Sequence, residues 1–203
     1  MARLFLMCGN IGSGKTTFAR PFAKENGFRY ISADDCYAFY NGDECNRENK
    51  YTVWELFYRM IHDAHKMGQD VVIDTNAPYP SDRDEFLNRF PEYEEHTLIW
   101  VDTSKELSWK GNCNRTRKVP REVFDMLCEA FVQPGRSEGV CRSGWDNIYR
   151  IVRTEDGFDF GNIIKKNGSL SDYPVEKWFT NTTTAQRLLN VRGGAYELHE
   201  EAV

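Results

Sequence analysis

Gly9-Asn10-Ile11-Gly12-Ser13-Gly14-Lys15-Thr16 is the stretch on which the reading of this chain turns. It fits G-x-x-x-x-G-K-[ST], the pattern of a phosphate-binding loop, and each residue type has its own reason to be there. Gly9, Gly12 and Gly14 let the backbone take φ > 0 and come close to phosphate oxygens. Successive N–H groups then turn inward as an anion nest, at the positive end of the following helix. Lys15 is placed to reach β- and γ-phosphates, and the Thr16 hydroxyl is the expected Mg²⁺ ligand. Asn10, Ser13 and Thr17 complete the nucleotide-binding set. The flanks agree: residues 3–8 read as a buried strand and 17–24 as a helix. Pro21 falls near the first turn of that helix, where a missing N–H costs least.

Outward from the loop, strand and helix patterns alternate, which is the signature of an α/β domain with a mainly parallel sheet. Residues 28–32 read as a second strand after the turn Asn26-Gly27. Residues 52–67 read as a helix with Trp54, Phe57, Tyr58, Ile61 and His65 on one core face, closed by Gly68. Residues 70–74 form an apolar third strand. A helix opens at Pro80 and carries Phe86, Leu87 and Phe90. Residues 97–102 form a fourth strand, and Ser104 caps a helix with Leu107 turned inward. Helix returns over 122–131, and 148–153 is a fifth strand. A turn at Asp156-Gly157 leads into a return strand through residues 158–164. The spacing predicts short helices at 175–179 and 185–189 and frayed residues at 197–203. The expected fold is a three-layer α/β P-loop NTPase with about five strands. Residues 1–152 form the nucleotide-binding domain, and 153–203 a hairpin and C-terminal extension of it.

With 203 residues the chain suits one domain. No apolar run approaches the ~18 residues of a membrane span, so no membrane partner is expected. The first eight residues run straight into the loop and read as a strand rather than a leader. The six cysteines form no C-x-x-C pair, which points to a reducing, cytoplasmic setting rather than a disulfide framework or zinc site. A net charge of −5 argues against an extended nucleic-acid groove, but not against gripping one end of a strand.

A P-loop binds nucleotide without saying what becomes of the γ-phosphate. That information sits at the other strand ends, where ligands gather in such folds. Asp34 and Asp35 follow the second strand on a loop facing the P-loop. A phosphoryl transferase needs a carboxylate there to take the proton of an acceptor hydroxyl, and Asp34 is the preferred base of the two. Asp74 ends the third strand as a Walker-B-type acid does, to hold a Mg²⁺-bound water or orient the acceptor. Thr75 and Asn76 add hydrogen-bonding groups at the same rim. Residues 110–121 hold five positive side chains and no acid, and form a lid in which Arg115, Arg117 or Lys118 reaches the triphosphate.

Together, GNIGSGKTTFAR (9–20), Asp34-Asp35, VVIDTN (71–76) and the lid pattern R-x-x-x-V-P ending at Val119-Pro120 resemble the kinase domain of phage-type polynucleotide 5′-kinases. These sit within the adenylate-kinase-like P-loop kinases, and the resemblance covers residues 1–152. It implies an ATP- and Mg²⁺-dependent kinase acting on a hydroxyl, with the 5′ end of RNA or DNA as acceptor. Lys15 and Thr16 would bind ATP and Mg²⁺, Asp34 would be the base, and Arg115 the catalytic lid arginine on the phosphates. Asp35, Tyr37, Asp74, Thr75 and Asn76 would line the acceptor side. One departure stands out. The family places an arginine shortly after its Asp pair, and this chain has Tyr37 there, with no arginine before Arg47. Tyrosine donates a hydrogen bond but brings no charge. That departure keeps open a small-molecule or nucleoside acceptor with the same chemistry. A nucleotide-binding switch without an acceptor is the third reading, and the Asp34-Asp35 pair speaks against it.

Overall fold

The run Leu4–Cys8 is buried because it forms the middle of a sheet with strands on both sides. The structure, a computed structural model, describes residues 2–134, 144–164 and 170–171, the residues from 159 onward by backbone alone. β1 (Arg3–Cys8) lies between β3 (Val71–Asp74) and β4 (Glu95–Thr103), parallel to both. β2 (Arg29–Ser32) adds to β3 and β5 (Asn147–Thr154) to β4, again in parallel. The hairpin from β5 to β6 (Gly157–Ile164) and the short β7 (Leu170–Ser171) continue the sheet antiparallel. The order is β2-β3-β1-β4-β5-β6-β7, so the expected five parallel strands are present and two further strands extend them.

Side chains alternate across β1 with the period of a strand. Leu4, Leu6 and Cys8 enter one core with Ile31, Ile73 and Leu98. It is covered by α2 (Ala33–Asn41), α3 (Lys50–Lys66) and α4 (Pro80–Arg89). Phe5 and Met7 enter the other core, under Phe18 and Phe22 of α1 (Lys15–Asn26). Two half-cores on opposite faces of one sheet make the three layers. α5 (Lys105–Cys113) and α6 (Arg121–Ala130) follow β4.

Several local expectations need correction. α1 starts at Lys15, so Pro21 is its seventh residue rather than a first-turn residue. The helix runs through it because Phe18, Ala19, Phe22 and Ala23 are all buried beneath. Asp34 and Asp35 lie in the first turn of α2, not on a loop. Ser32 caps that turn by accepting from Asp35 N at 3.3 Å. Leu107 is only half-buried, and Ser108 and Asn112 form the inward face of α5. The boundary drawn after residue 152 falls inside β5. The helices expected at 175–179 and 185–189, and residues 197–203, lie outside the described residues.

Candidate functional site

The P-loop is built from backbone that only glycine accommodates. Gly12 takes φ +74, and a Cβ there would overlap the Ser108 carbonyl and stand 2.7 Å from Asn112 N. A Cβ on Gly111 would in turn collide with the Gly12 carbonyl. The loop and α5 therefore meet glycine to glycine, which explains the small inward residues of α5. Gly9 closes the other side, where a Cβ would lie 2.6 Å from the Val101 carbonyl.

Lys15 Nζ donates to the Gly9 and Asn10 carbonyls at 2.8 and 2.9 Å. Burial pushes its pKa below the ordinary lysine value, while the Asp74 carboxylate acts the other way. Thr16 Oγ1 donates to Asp74 Oδ2 at 2.6 Å, and Tyr30 OH donates to the same oxygen at 2.7 Å. Burial, then Asp74, raises the Tyr30 pKa, so Tyr30 stays a donor. Ser13 Oγ is buried with no hydrogen-bond partner among the described residues.

A cavity of about 580 Å³ opens over this loop. Of the residues singled out in the sequence, Gly12, Ser13, Gly14, Lys15, Thr16, Thr17, Asp34, Asp74, Thr75, Asn76 and Arg115 line it. Gly9 and Asn10 contribute carbonyls to Lys15 from beneath. Asp35 turns away and pairs with Arg20 of α1 at 2.8 Å, with about half its side chain exposed. Tyr37 is buried in the core and does not line the cavity. It instead carries Arg47, whose guanidinium carbon sits 4.1 Å above the Tyr37 ring. Arg47 donates to Asp34 Oδ1 at 2.5 Å. The cation that seemed missing at position 37 thus enters from the α2–α3 connection.

The lid continues from α5. Arg115 lines the cavity and lies close enough to Lys15 to bear on its charge, with its Nε donating to the Arg117 carbonyl. Arg117 reaches across to Asp34 Oδ1 at 3.2 Å. Lys118 is exposed and does not line the cavity. Arg153, near the end of β5, donates to the Gly12 carbonyl at 2.7 Å, and burial lowers its pKa. Among the described residues no carboxylate pairs with it. Arg47, Arg153, Tyr30, Trp54 and Glu44 were not foreseen in the site. Trp54, expected in the core, packs against it and also lines the cavity.

The residues present fit a nucleoside triphosphate with a hard divalent cation. The fit rests on the glycine cradle, the orphaned Ser13 hydroxyl, and the Thr16–Asp74 pair of hard oxygen donors.

Comparison with known proteins agrees with this geometry. A family model described as an AAA domain matches residues 4–134. L-seryl-tRNA(Sec) kinase of Methanococcus maripaludis is 25% identical over 173 residues, which is 80% of this chain and 64% of that protein. The chain therefore spans less than two thirds of that relative's length. Among solved structures, the AvrRxo1-ORF1:AvrRxo1-ORF2 complex superposes with a TM-score of 0.61 at 16% identity, over 96% of this chain and 72% of the other. The Pnkp1/Rnl/Hen1 RNA repair complex gives 0.55 at 18% identity, over 64% of this chain and 43% of the other.

Proposed function

The chain belongs to this AAA-domain family, with a P-loop kinase fold related to the kinase domain of phage-type polynucleotide kinases, and from that premise we propose that it is an ATP- and Mg²⁺-dependent phosphotransferase. It moves the γ-phosphate to a hydroxyl acceptor, foremost the 5′-OH end of a polynucleotide. One observation carries the reading: Asp34 shares a cavity with Lys15 and Thr16, and is oriented by Arg47 and Arg117. A nucleotide switch has no use for an oriented carboxylate at that place.

In this reading, P-loop N–H groups and Lys15 hold the triphosphate. Asp34 accepts the acceptor's hydroxyl proton as that oxygen attacks the γ-phosphorus. A new O–P bond forms, the bond to the β,γ-bridging oxygen breaks, and ADP leaves with its electron pair. Lys15, Arg115 and Arg153 neutralise charge on the transferring and leaving oxygens. Thr16 and Asp74 would hold Mg²⁺, which when bound supplies further neutralisation of the β- and γ-oxygens.

Arg47 beside the base supports a phosphate-bearing acceptor, and Trp54 offers an aromatic face to a base. The relatives named for tRNA and RNA repair point the same way. Glu44 on the acceptor wall favours the second reading, a small-molecule or nucleoside hydroxyl, since it opposes a phosphate there. The five described cysteines form no disulfide among themselves, which supports work in a reducing compartment such as the cytoplasm. The test is transfer from γ-labelled ATP with Mg²⁺ to 5′-OH RNA, 5′-OH DNA, nucleosides and a metabolite pool. Label on the oligonucleotides is expected. Label confined to small molecules would overturn the polynucleotide assignment, and hydrolysis indifferent to every acceptor would overturn the kinase itself.

A further inference from the structure

Both arginines that approach Asp34 bond the same oxygen, Oδ1. Oδ2 has no hydrogen-bond partner among the described residues, which leaves it to receive a proton. The two arginines come from unrelated places. Arg47 arrives on the acceptor side, stacked on buried Tyr37. Arg117 arrives on the lid, two residues after Arg115, and the two are tied by the bond from Arg115 Nε to the Arg117 carbonyl.

The lid is itself fastened to the P-loop. Asn112 is fully buried, and its side chain closes the lid turn by donating to the Val119 carbonyl at 2.9 Å and accepting from Val119 N at 3.0 Å. The backbone of that same residue lies against Gly12. A continuous path therefore runs from the P-loop through α5 and the Asn112 clasp to Arg117 and Asp34. Each link is a short contact between packed or hydrogen-bonded groups, or a short run of chain between them.

We infer that Arg117 is a positioning residue that couples the donor site to the base: seating the lid over the triphosphate through Arg115 brings Arg117 onto Asp34 Oδ1 and leaves Oδ2 for the acceptor hydroxyl. The inference rests on Asp34 being the base. Its consequence is reciprocal, as any coupling between two sites must be. The Asp34–Arg117 contact helps hold the lid shut on ATP, and ATP helps hold Asp34 in its working orientation. Water meeting an enzyme with an unseated lid then finds a base that is not aligned, which limits wasteful hydrolysis.

A double-mutant cycle on the full chain tests this, with a non-hydrolysable β,γ-imido analogue of ATP as the probe and calorimetry as the readout. Arg117→Met and Asp34→Ala should each weaken the analogue about fivefold, and the double variant no more than either alone. Arg117→Lys should restore part of the affinity. In transfer assays Arg117→Met should lower kcat far more than it raises the KM for ATP, because Arg115 still grips the phosphates. Losses that multiply in the double variant would overturn the coupling, and so would an Arg117→Met protein with unchanged analogue affinity. Transfer surviving in Asp34→Ala would instead overturn the base assignment. A dead Asp34→Ala with multiplicative losses would sink the coupling and leave the base in place. Melting curves confirm that each variant is folded.

Discussion

Replacing Arg47 by methionine separates function from folding at a cation the motif order did not place. The structure sets both magnitudes. The Arg47–Asp34 side chains are 35% and 49% exposed, so their ion pair is screened and contributes about 0–1 kcal/mol to stability. The stacking on Tyr37 adds about 0.5–1 kcal/mol. The loss of roughly 0.5–2 kcal/mol lowers the melting temperature by about 1–8 °C in a domain of this size. Catalysis is worth more. A cation that orients the base and faces the transferring group should cost about 10²–10³ in kcat when removed, by analogy with losing one oxyanion donor. Arg47→Lys should recover stability better than rate, since an ammonium neither stacks nor forks as a guanidinium does. The assay is single-turnover transfer from labelled ATP, paired with a circular-dichroism melt. A rate within threefold of wild type, at the expected melting shift, would show that Arg47 only braces the α2–α3 connection. A melting loss beyond about 15 °C would equally refute the ledger above.

Gly12→Ala should abolish binding of an ATP analogue by prising α5 off the loop, whereas Gly27→Ala at a similar φ of +68, with nothing within 4 Å, should cost only the ~1–2 kcal/mol left-handed penalty in a melt. Tyr30→Phe removes one of the two donors on Asp74 Oδ2 and should raise the Mg²⁺ concentration needed for half-maximal nucleotide binding several-fold, read by Mg²⁺ titration. Lys15 has a pKa lowered from 10.5 by burial, so it sheds its proton earlier than a free lysine, and ATP affinity should begin to fall before pH 10.5; Lys15→Arg should remove that limb. The stability of the unliganded protein runs the other way. Between the folded pKa and 10.5 the unfolded chain holds more protons, and stability rises with pH. Affinity for a 5′-OH oligonucleotide should fall with salt at a log–log slope of about −1 to −2, the signature of one to three phosphate contacts; a slope near −5 would indicate a long groove.

What could be read from sequence was what local physics dictates. The glycines of the P-loop, the apolar run of β3 ending in Asp74, the cap at Ser104 and the turn at Asn26-Gly27 each follow from a few neighbouring residues. The first turn of α2 was also legible in principle. Ser32-Ala33-Asp34-Asp35 has the S-x-x-D spacing of a capped helix start, a signal outweighed by the polar run after it. Arg47, Arg153 and Tyr30 were not legible, because each joins the site from a different segment and none sits in a pattern of its own. The lid shows the limit most clearly. Its five cations announce a positive turn, but only the fold decides that Arg115 lines the cavity, Arg117 bonds Asp34, and Lys118 faces solvent.

The acidic net charge and the anionic pair of substrates proposed above are reconciled by where the cations lie. Away from the cavity, Arg3, Arg20, Arg89, Arg121 and Arg150 each pair with a carboxylate. Their fields cancel within a Debye length of about 8–10 Å. Around the P-loop, Lys15, Arg47, Arg115, Arg117 and Arg153 share the cavity wall, among the described residues, with just three carboxylates, Asp34, Glu44 and Asp74. Among the described residues the recess thus gathers five cations against three carboxylates, in a chain whose net charge is −5. A strand of nucleic acid lying along such a protein gains nothing from its length. Its terminal group, once inside, meets several cations in a partly dehydrated cleft where each is worth more than in bulk water. For the acceptor proposed above, charge placement of this kind favours an end or a small phosphate-bearing molecule over continuous duplex or single strand. It makes the identity of the acceptor a question about Arg47, Glu44 and Trp54 rather than about the protein's net charge.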